Sequence, residues 1–210
     1  MVAYSLDNAL DWVDELSEND YVVFDHFLSQ DHYDGIMAYF LSKLGDQAFD
    51  KAGIGTLGNH TIDKDVRGDY VYWIVRAEDD SVMNYFNRID EMIALLKRYC
   101  FLPISGSEFH FAHYPRGSFY EKHIDQFKGR GNRLMSVVFY MNEDWQTSDA
   151  GELNLYLKDG RCEVVTPIAN RLVLFKSDQV PHEVLPTYVS RYSLTGWLLN
   201  QPDGLGFLLA

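Results

Sequence analysis

The stretch "RLMSVVFYM", residues 133–141, decides how the rest of the chain is read. It is a short run of β-branched, aromatic and other apolar residues that stops at the turn signal "NED", which is the pattern of a strand closed by a loop. Comparable runs recur from about residue 107: "SEFHFAHY", "GELNLYL", "CEVVTP", "RLVLFKS", "HEVLP" and "RYSLTGWLL", separated by "SDAGE", "KDG" and "SDQVP". Short strands at such regular intervals predict a sandwich or jelly roll.

The first hundred residues have a different period. Leu6, Leu10, Val13 and Leu16 predict an amphipathic helix over 4–17. Ile36, Phe40, Leu41 and Leu44 predict a second from about Asp31 to Leu44. Val82, Tyr85, Phe86, Ile89, Met92, Ile93 and Leu96 predict a third over 81–99. These helices are expected to pack on one sheet. Between the second and third lies the glycine-rich, polar "KAGIGTLGNHTIDKDVRGD", read as a mobile loop or hairpin, and then the strand-like "YVYWIV". No repeat, low-complexity segment or linker divides the chain. The expected organisation is one domain over 1–210, with helical support and a mobile substrate loop (51–69) in 1–105 and a jelly-roll core in 106–200. The fold class is therefore α+β, an all-β core with helices.

Composition limits the function. The chain has 210 residues, 47% hydrophobic and 15% aromatic, enough for one sizeable core. Eighteen Lys and Arg against 31 Asp and Glu give a net charge of −13, which opposes non-specific binding to nucleic acid. The charge serves solubility or a basic protein partner. No apolar run reaches the roughly 18 residues needed to cross a bilayer, and the acidic N-terminus lacks a targeting n-region. A soluble cytoplasmic protein without membrane contact is expected. Cys100 and Cys162 show no CxxC spacing and are read as buried free thiols.

Spacing selects among the seven histidines. His110 and His113 are three apart on a predicted strand, so they face opposite sides and take structural roles. His26, His32 and His60 have no acidic or imidazole neighbour at ligand spacing in an apolar setting. His123 and Asp125, in "YEKHIDQF", are two apart and share a face in extended backbone. An HxD pair is weak alone, but His182 in "VPHEVLP" follows 59 residues later. Two imidazoles and one carboxylate suit non-haem Fe(II), although zinc can use the same set. Arg191, nine residues beyond His182, adds a guanidinium suited to grip a carboxylate with two parallel hydrogen bonds.

With these residues in place, the sequence resembles the Fe(II)- and 2-oxoglutarate-dependent dioxygenases, and within them the hypoxia-inducible-factor prolyl hydroxylases and their bacterial relatives. The matching elements are "VRGDYVYWI", "HYPRGSFYEKHID", "FYMNEDW", "GELNLY", "RLVLFKSD" and "PHEVLPTYVSRYSLTGW". The resemblance covers about residues 50 to 199 and implies a double-stranded β-helix, the cupin-like jelly roll. It implies Fe(II) on His123, Asp125 and His182, with 2-oxoglutarate and O2 as co-substrates and ascorbate as a candidate reductant. Arg191 would pair with the distal carboxylate of 2-oxoglutarate and Tyr140 would donate to it, while Tyr114 and Thr195 would line that pocket. Tyr120 and Trp197 would shape the place where the target meets the metal. Arg67 and Asp69 would contact the peptide substrate, or Asp69 would pair with Arg133. The carboxylate at Asp125 points to hydroxylation, since halogenating relatives carry a small residue there.

The implied activity is hydroxylation of a proline in a protein partner, with release of succinate and CO2, by a monomer or weak homodimer. The short chain fits a bacterial stand-alone form, for which elongation factor Tu is a candidate target. The alternatives are a small-molecule or amino-acid hydroxylase of the same fold, and a non-catalytic metal-binding sensor. Nucleic-acid demethylation is disfavoured by the acidic surface.

Overall fold

The computed structural model describes residues 3–52, 67–126 and 131–200. In chain order the elements are α1 (Ala9–Asn19), β1 (Tyr21–Phe24), α2 (Gln30–Gly45), β2 (Asp50–Lys51), β3 (Tyr70–Trp73), α3 (Met83–Cys100), β4 (Gly106–Tyr114), β5 (Tyr120–His123), β6 (Arg133–Tyr140), β7 (Leu153–Tyr156), β8 (Cys162–Val165), β9 (Leu172–Lys176), β10 (His182–Val184) and β11 (Arg191–Leu199). They form a seven-stranded sheet, β1-β9-β6-β11-β4-β3-β2, facing a four-stranded sheet, β5-β10-β7-β8. All named strand pairs are antiparallel.

Strand β6 shows why the sheet is apolar on both sides. Its alternate residues Met135, Val137 and Phe139 join one core with the helices, while Val138 and Tyr140 join a second core between the sheets. The helical side takes Trp12 and Leu16 from α1, Tyr33, Ile36 and Phe40 from α2, and Tyr85, Phe86, Ile89, Met92 and Leu96 from α3. The expected apolar stripe of α3 is buried except for Ile93, which is half-buried at its margin. In α1 the stripe is shifted: the helix begins at Ala9, Leu6 precedes it, and Leu10 is 64% exposed. Asp20, at φ 65°, ends α1 in the left-handed conformation, with its N–H bonded to the Leu16 carbonyl.

The first 105 residues supply more than helical support. β1, the buried run "YVVF", forms one edge of the large sheet against β9, and β2 and β3 form the other edge against β4. Four consecutive buried residues carry no alternation, so "YVVF" could not be told from the end of a helix by period. The cysteine expectation also needs correction, because Cys162 is exposed on β8 and Cys100 only half-buried, both as free thiols. Of the expected mobile loop over 51–69, residues 53–66, His60 among them, lie outside the described residues. Among the described residues no helix is long and apolar enough to cross a membrane.

Gly196 has the closest surroundings of the described glycines. A Cβ there would overlap the Glu108 carbonyl oxygen and the Phe109 ring on β4. Overpacking of this kind against backbone costs about 3 kcal/mol or more. Gly196→Ala is expected to lower the thermal midpoint by about 10 °C or to yield no folded protein, as followed by circular dichroism; an unchanged midpoint would contradict the packing described.

Candidate active site

Strand β11 places Arg191, Ser193, Thr195 and Trp197 in a row on the face between the sheets. On β4 the register partners of the first three are Tyr114, Ala112 and His110. These residues line a cavity of about 250 Å³. The small sheet closes it from the other side, where His123 at the end of β5 and His182 at the start of β10 are register partners.

The metal-type residues meet here. One ligand atom from each of His123, Asp125 and His182 lies within 4.8 Å of the other two, the only such cluster among the described residues. His123 Nε2 is 3.5 Å from Asp125 Oδ1, and His182 Nε2 is 3.6 Å from Asp125 Oδ2. Each Nδ1 faces a main-chain carbonyl, Glu121 at 2.6 Å and Val180 at 3.1 Å. A carbonyl only accepts, so both Nδ1 atoms carry the proton and both Nε2 lone pairs are free for a cation. Burial alone would raise the Asp125 carboxyl. The facing His182 and His123 and the Ser136 hydroxyl, which donates to Oδ2 at 2.6 Å, outweigh it and hold the carboxyl well below its usual range. Ser136 is in turn 2.8 Å from Ser177.

The local geometry differs in one respect from simple alternation. β5 stops at His123 and a bend brings Asp125 inward. Ile124 therefore does not point away as an extended strand would require, and lines the cavity instead. Lys122 does face outward, with its ammonium 3.3 Å from the centre of the Tyr156 ring.

At the other end of the row, Arg191 is buried and its Nε donates to the Gly151 carbonyl at 2.9 Å. Its Nη2 has no hydrogen-bond partner, and no carboxylate forms an ion pair with it among the described residues. Its guanidinium carbon is 5.1 Å from the Tyr114 ring centre and 5.0 Å from that of Tyr140, whose buried hydroxyl is also unpartnered. Burial pushes Tyr140 up to about 12 against the opposing pull of Arg191, so it stays a hydroxyl donor at neutral pH. An unpaired buried cation costs several kcal/mol. Beside an orphaned hydroxyl it makes a seat for a carboxylate, which fits the distal end of a dicarboxylic keto acid chelating a metal on the triad.

Gly151 shapes that seat. It adopts φ +72°, and a Cβ would stand 2.9 Å from the Thr187 Cβ and 3.3 Å from the Arg191 Cδ. Gly151→Ala is expected to raise the 2-oxoglutarate KM about tenfold by displacing Arg191, while Mn(II) affinity measured by calorimetry stays within threefold. Equal loss of both would mean general unfolding.

The expected substrate-facing residues divide. Tyr120 stacks on His123 with ring centres 3.7 Å apart, and the Arg67 guanidinium lies 4.4 Å from the Tyr120 ring. Arg67, Tyr120, Trp197 and Thr195 all line the cavity. Asp69 is fully buried, off the cavity wall, and bonds Arg67 through both carboxylate oxygens at 2.7 and 2.5 Å. The pairing of Asp69 with Arg133 is thus corrected: Arg133 bonds Glu108 at 2.9 Å and lies 3.5 Å over the Trp197 ring. Asp69 holds Arg67 in place. His110 was missed. It does face away from His113, as alternation requires, yet it lies on the cavity wall against Trp73 and Trp197. The available signal was its even spacing from Tyr114 on the same strand.

A jelly roll holding two histidines and an aspartate on one side of a cavity, and a buried, unpaired arginine on another, has the donor set of a non-haem iron site together with a seat for a carboxylate. Residues 109–199 match the 2OG-Fe(II) oxygenase superfamily. Over 201 residues the chain is 31% identical to a hypoxia-inducible factor prolyl hydroxylase of Caenorhabditis elegans, covering 90% of this chain and 28% of the worm protein's length. A prolyl-4-hydroxylase of Pseudomonas putida superposes with a TM-score of 0.84 at 33% identity, over 92% of this chain and 99% of that one. A prolyl hydroxylase of Trichoplax adhaerens, solved with a hypoxia-inducible-factor peptide, gives 0.84 at 28% identity over 93% and 90% of the two chains. The chain belongs to the prolyl hydroxylases of the 2OG-Fe(II) oxygenase superfamily, and its two sheets are that family's double-stranded β-helix. The family uses Fe(II), 2-oxoglutarate and dioxygen, and the triad here fits the iron.

Proposed function

We propose that the chain is an Fe(II)- and 2-oxoglutarate-dependent protein prolyl 4-hydroxylase. The observation that carries the reading is the unpaired, buried Arg191 beside the Tyr140 hydroxyl, in the same cavity wall system as the His123, Asp125 and His182 cluster. When bound, iron and 2-oxoglutarate would supply, with dioxygen, the oxidising chemistry that places one atom of O2 on the substrate and the other in succinate, with release of CO2. His123, Asp125 and His182 would hold the metal. Arg191 and Tyr140 fix the distal carboxylate, which sets the direction in which the keto acid lies. Tyr114 closes one side of that pocket, while Thr195 lines the same cavity four residues beyond Arg191 along β11.

A protein substrate is supported by the open, aromatic mouth of the cavity, where Trp73 is 50% and Ile124 44% exposed, and by the peptide bound to the Trichoplax relative. Arg67, braced by Asp69 and laid on Tyr120, is placed to meet a peptide beside the metal. A cytoplasmic setting accords with two free cysteines, one of them exposed. The test is incubation of the iron-loaded protein with 2-oxoglutarate, ascorbate and prolyl peptides, elongation factor Tu first among whole proteins. The expected result is succinate release coupled to a gain of one oxygen mass on proline. Coupled turnover with free amino acids but no peptide would overturn the proposal.

A further inference from the structure

His110 is used by nothing described so far. It is 4% exposed, lies on the cavity wall, and its Nδ1 is fully buried without a hydrogen-bond partner among the described residues. A buried polar atom left unpaired costs about 1–3 kcal/mol, so it marks a place where a ligand completes the bonding. Its ring is fixed by packing, with ring centres 4.8 Å from Trp73 and 5.6 Å from Trp197. The Nε1 of Trp197, on the same wall, is likewise buried and unpartnered.

Position along the strands says which ligand His110 meets. Tyr114 is opposite Arg191, at the carboxylate-binding end, and His110 is opposite Thr195. Four residues of extended strand separate Tyr114 from His110 by about 13 Å. The co-substrate is anchored at the Arg191 end, so the His110 end, flanked by the half-exposed Trp73, belongs to the primary substrate. We propose that His110 is a specificity-determining residue, whose Nδ1 makes a hydrogen bond to a peptide group of the bound substrate next to the target proline. This rests on the prolyl hydroxylase reading above.

Burial, helped by the neighbouring Arg67, lowers His110 to about 3, so the imidazole is neutral and offers one donor and one acceptor. A peptide group presents the complementary pair. A free amino acid would instead bring a full charge to this buried wall, where it would find no counter-ion in His110 or Trp197.

Two substitutions separate bonding from packing. His110→Phe keeps an aromatic ring between the tryptophans and removes both nitrogens, whereas His110→Asn puts an amide near Nδ1 and removes the ring. The probe is N-acetylproline N-methylamide, titrated by calorimetry into protein loaded with Mn(II) and 2-oxoglutarate. His110→Phe is expected to weaken its binding about tenfold, with Mn(II) and 2-oxoglutarate affinities unchanged, and His110→Asn to stay within threefold of the parent. Unchanged binding in His110→Phe, equal loss in both variants, or no binding of the probe to the parent would each overturn the inference. Binding of the probe without oxygen transfer to proline under Fe(II) would sink the hydroxylase reading alone, and the comparison of variants would still decide the role of His110.

Discussion

Asp125→Ala is expected to abolish succinate release and to weaken metal binding more than any other single change in the site. Asp125 is the only anionic member of the cluster, and it faces both imidazoles at 3.5 and 3.6 Å. Removing it leaves two neutral ligands that a divalent cation must hold without charge compensation. Loss of an outer partner of a metal ligand costs roughly 10- to 100-fold in affinity, and loss of the ligand itself exceeds that. Ser136 provides the internal calibration, since its hydroxyl bonds Asp125 Oδ2 at 2.6 Å. Ser136→Ala should weaken Mn(II) binding about tenfold, between parent and Asp125→Ala, in calorimetric titrations. The metal-free fold should survive Asp125→Ala, because the substitution removes a buried charge without opening the apolar core. Substantial peptide-dependent turnover by Asp125→Ala would sink the metal assignment.

That cluster was legible in the sequence because its signal is one of spacing. His123 and Asp125 are near neighbours, and His182 and Arg191 fall on strands whose boundaries the turn residues announce. The strands after residue 106 and the stripe of α3 were legible for the same reason, since period and punctuation are local properties. What escaped depends on partners distant in the chain. Asp69 pairs with Arg67, two residues away, while Arg133 bonds Glu108 across the β4–β11–β6 surface, and no local pattern chooses between the two arginines. β1 was hidden because a strand buried on both faces has no alternation to show. His110 followed the alternation rule correctly, and the face it takes, opposite His113, is the cavity wall. The rule separates two faces, but the fold decides which face is the cavity.

The second large effect is expected at Arg191. Arg191→Lys should raise the 2-oxoglutarate KM about a hundredfold while leaving Mn(II) affinity within threefold of the parent. The guanidinium spends its Nε on the Gly151 carbonyl at 2.9 Å and keeps Nη2 unpartnered for the ligand, so one rigid group both anchors itself and receives the carboxylate. A lysine ammonium is a single flexible centre. It can reach the carbonyl or the carboxylate, and it loses the parallel pair of charged hydrogen bonds, each worth about 1.5–3 kcal/mol. Tyr140→Phe tests the companion donor, whose hydroxyl is otherwise an orphan in the buried wall. It should raise the same KM about tenfold. The double variant should fall short of the product of the two, because both groups address one carboxylate and the second loss removes less than the first. Strict additivity would place the two residues on different groups, and an unchanged 2-oxoglutarate KM in Arg191→Lys would remove the carboxylate seat from that end of the cavity.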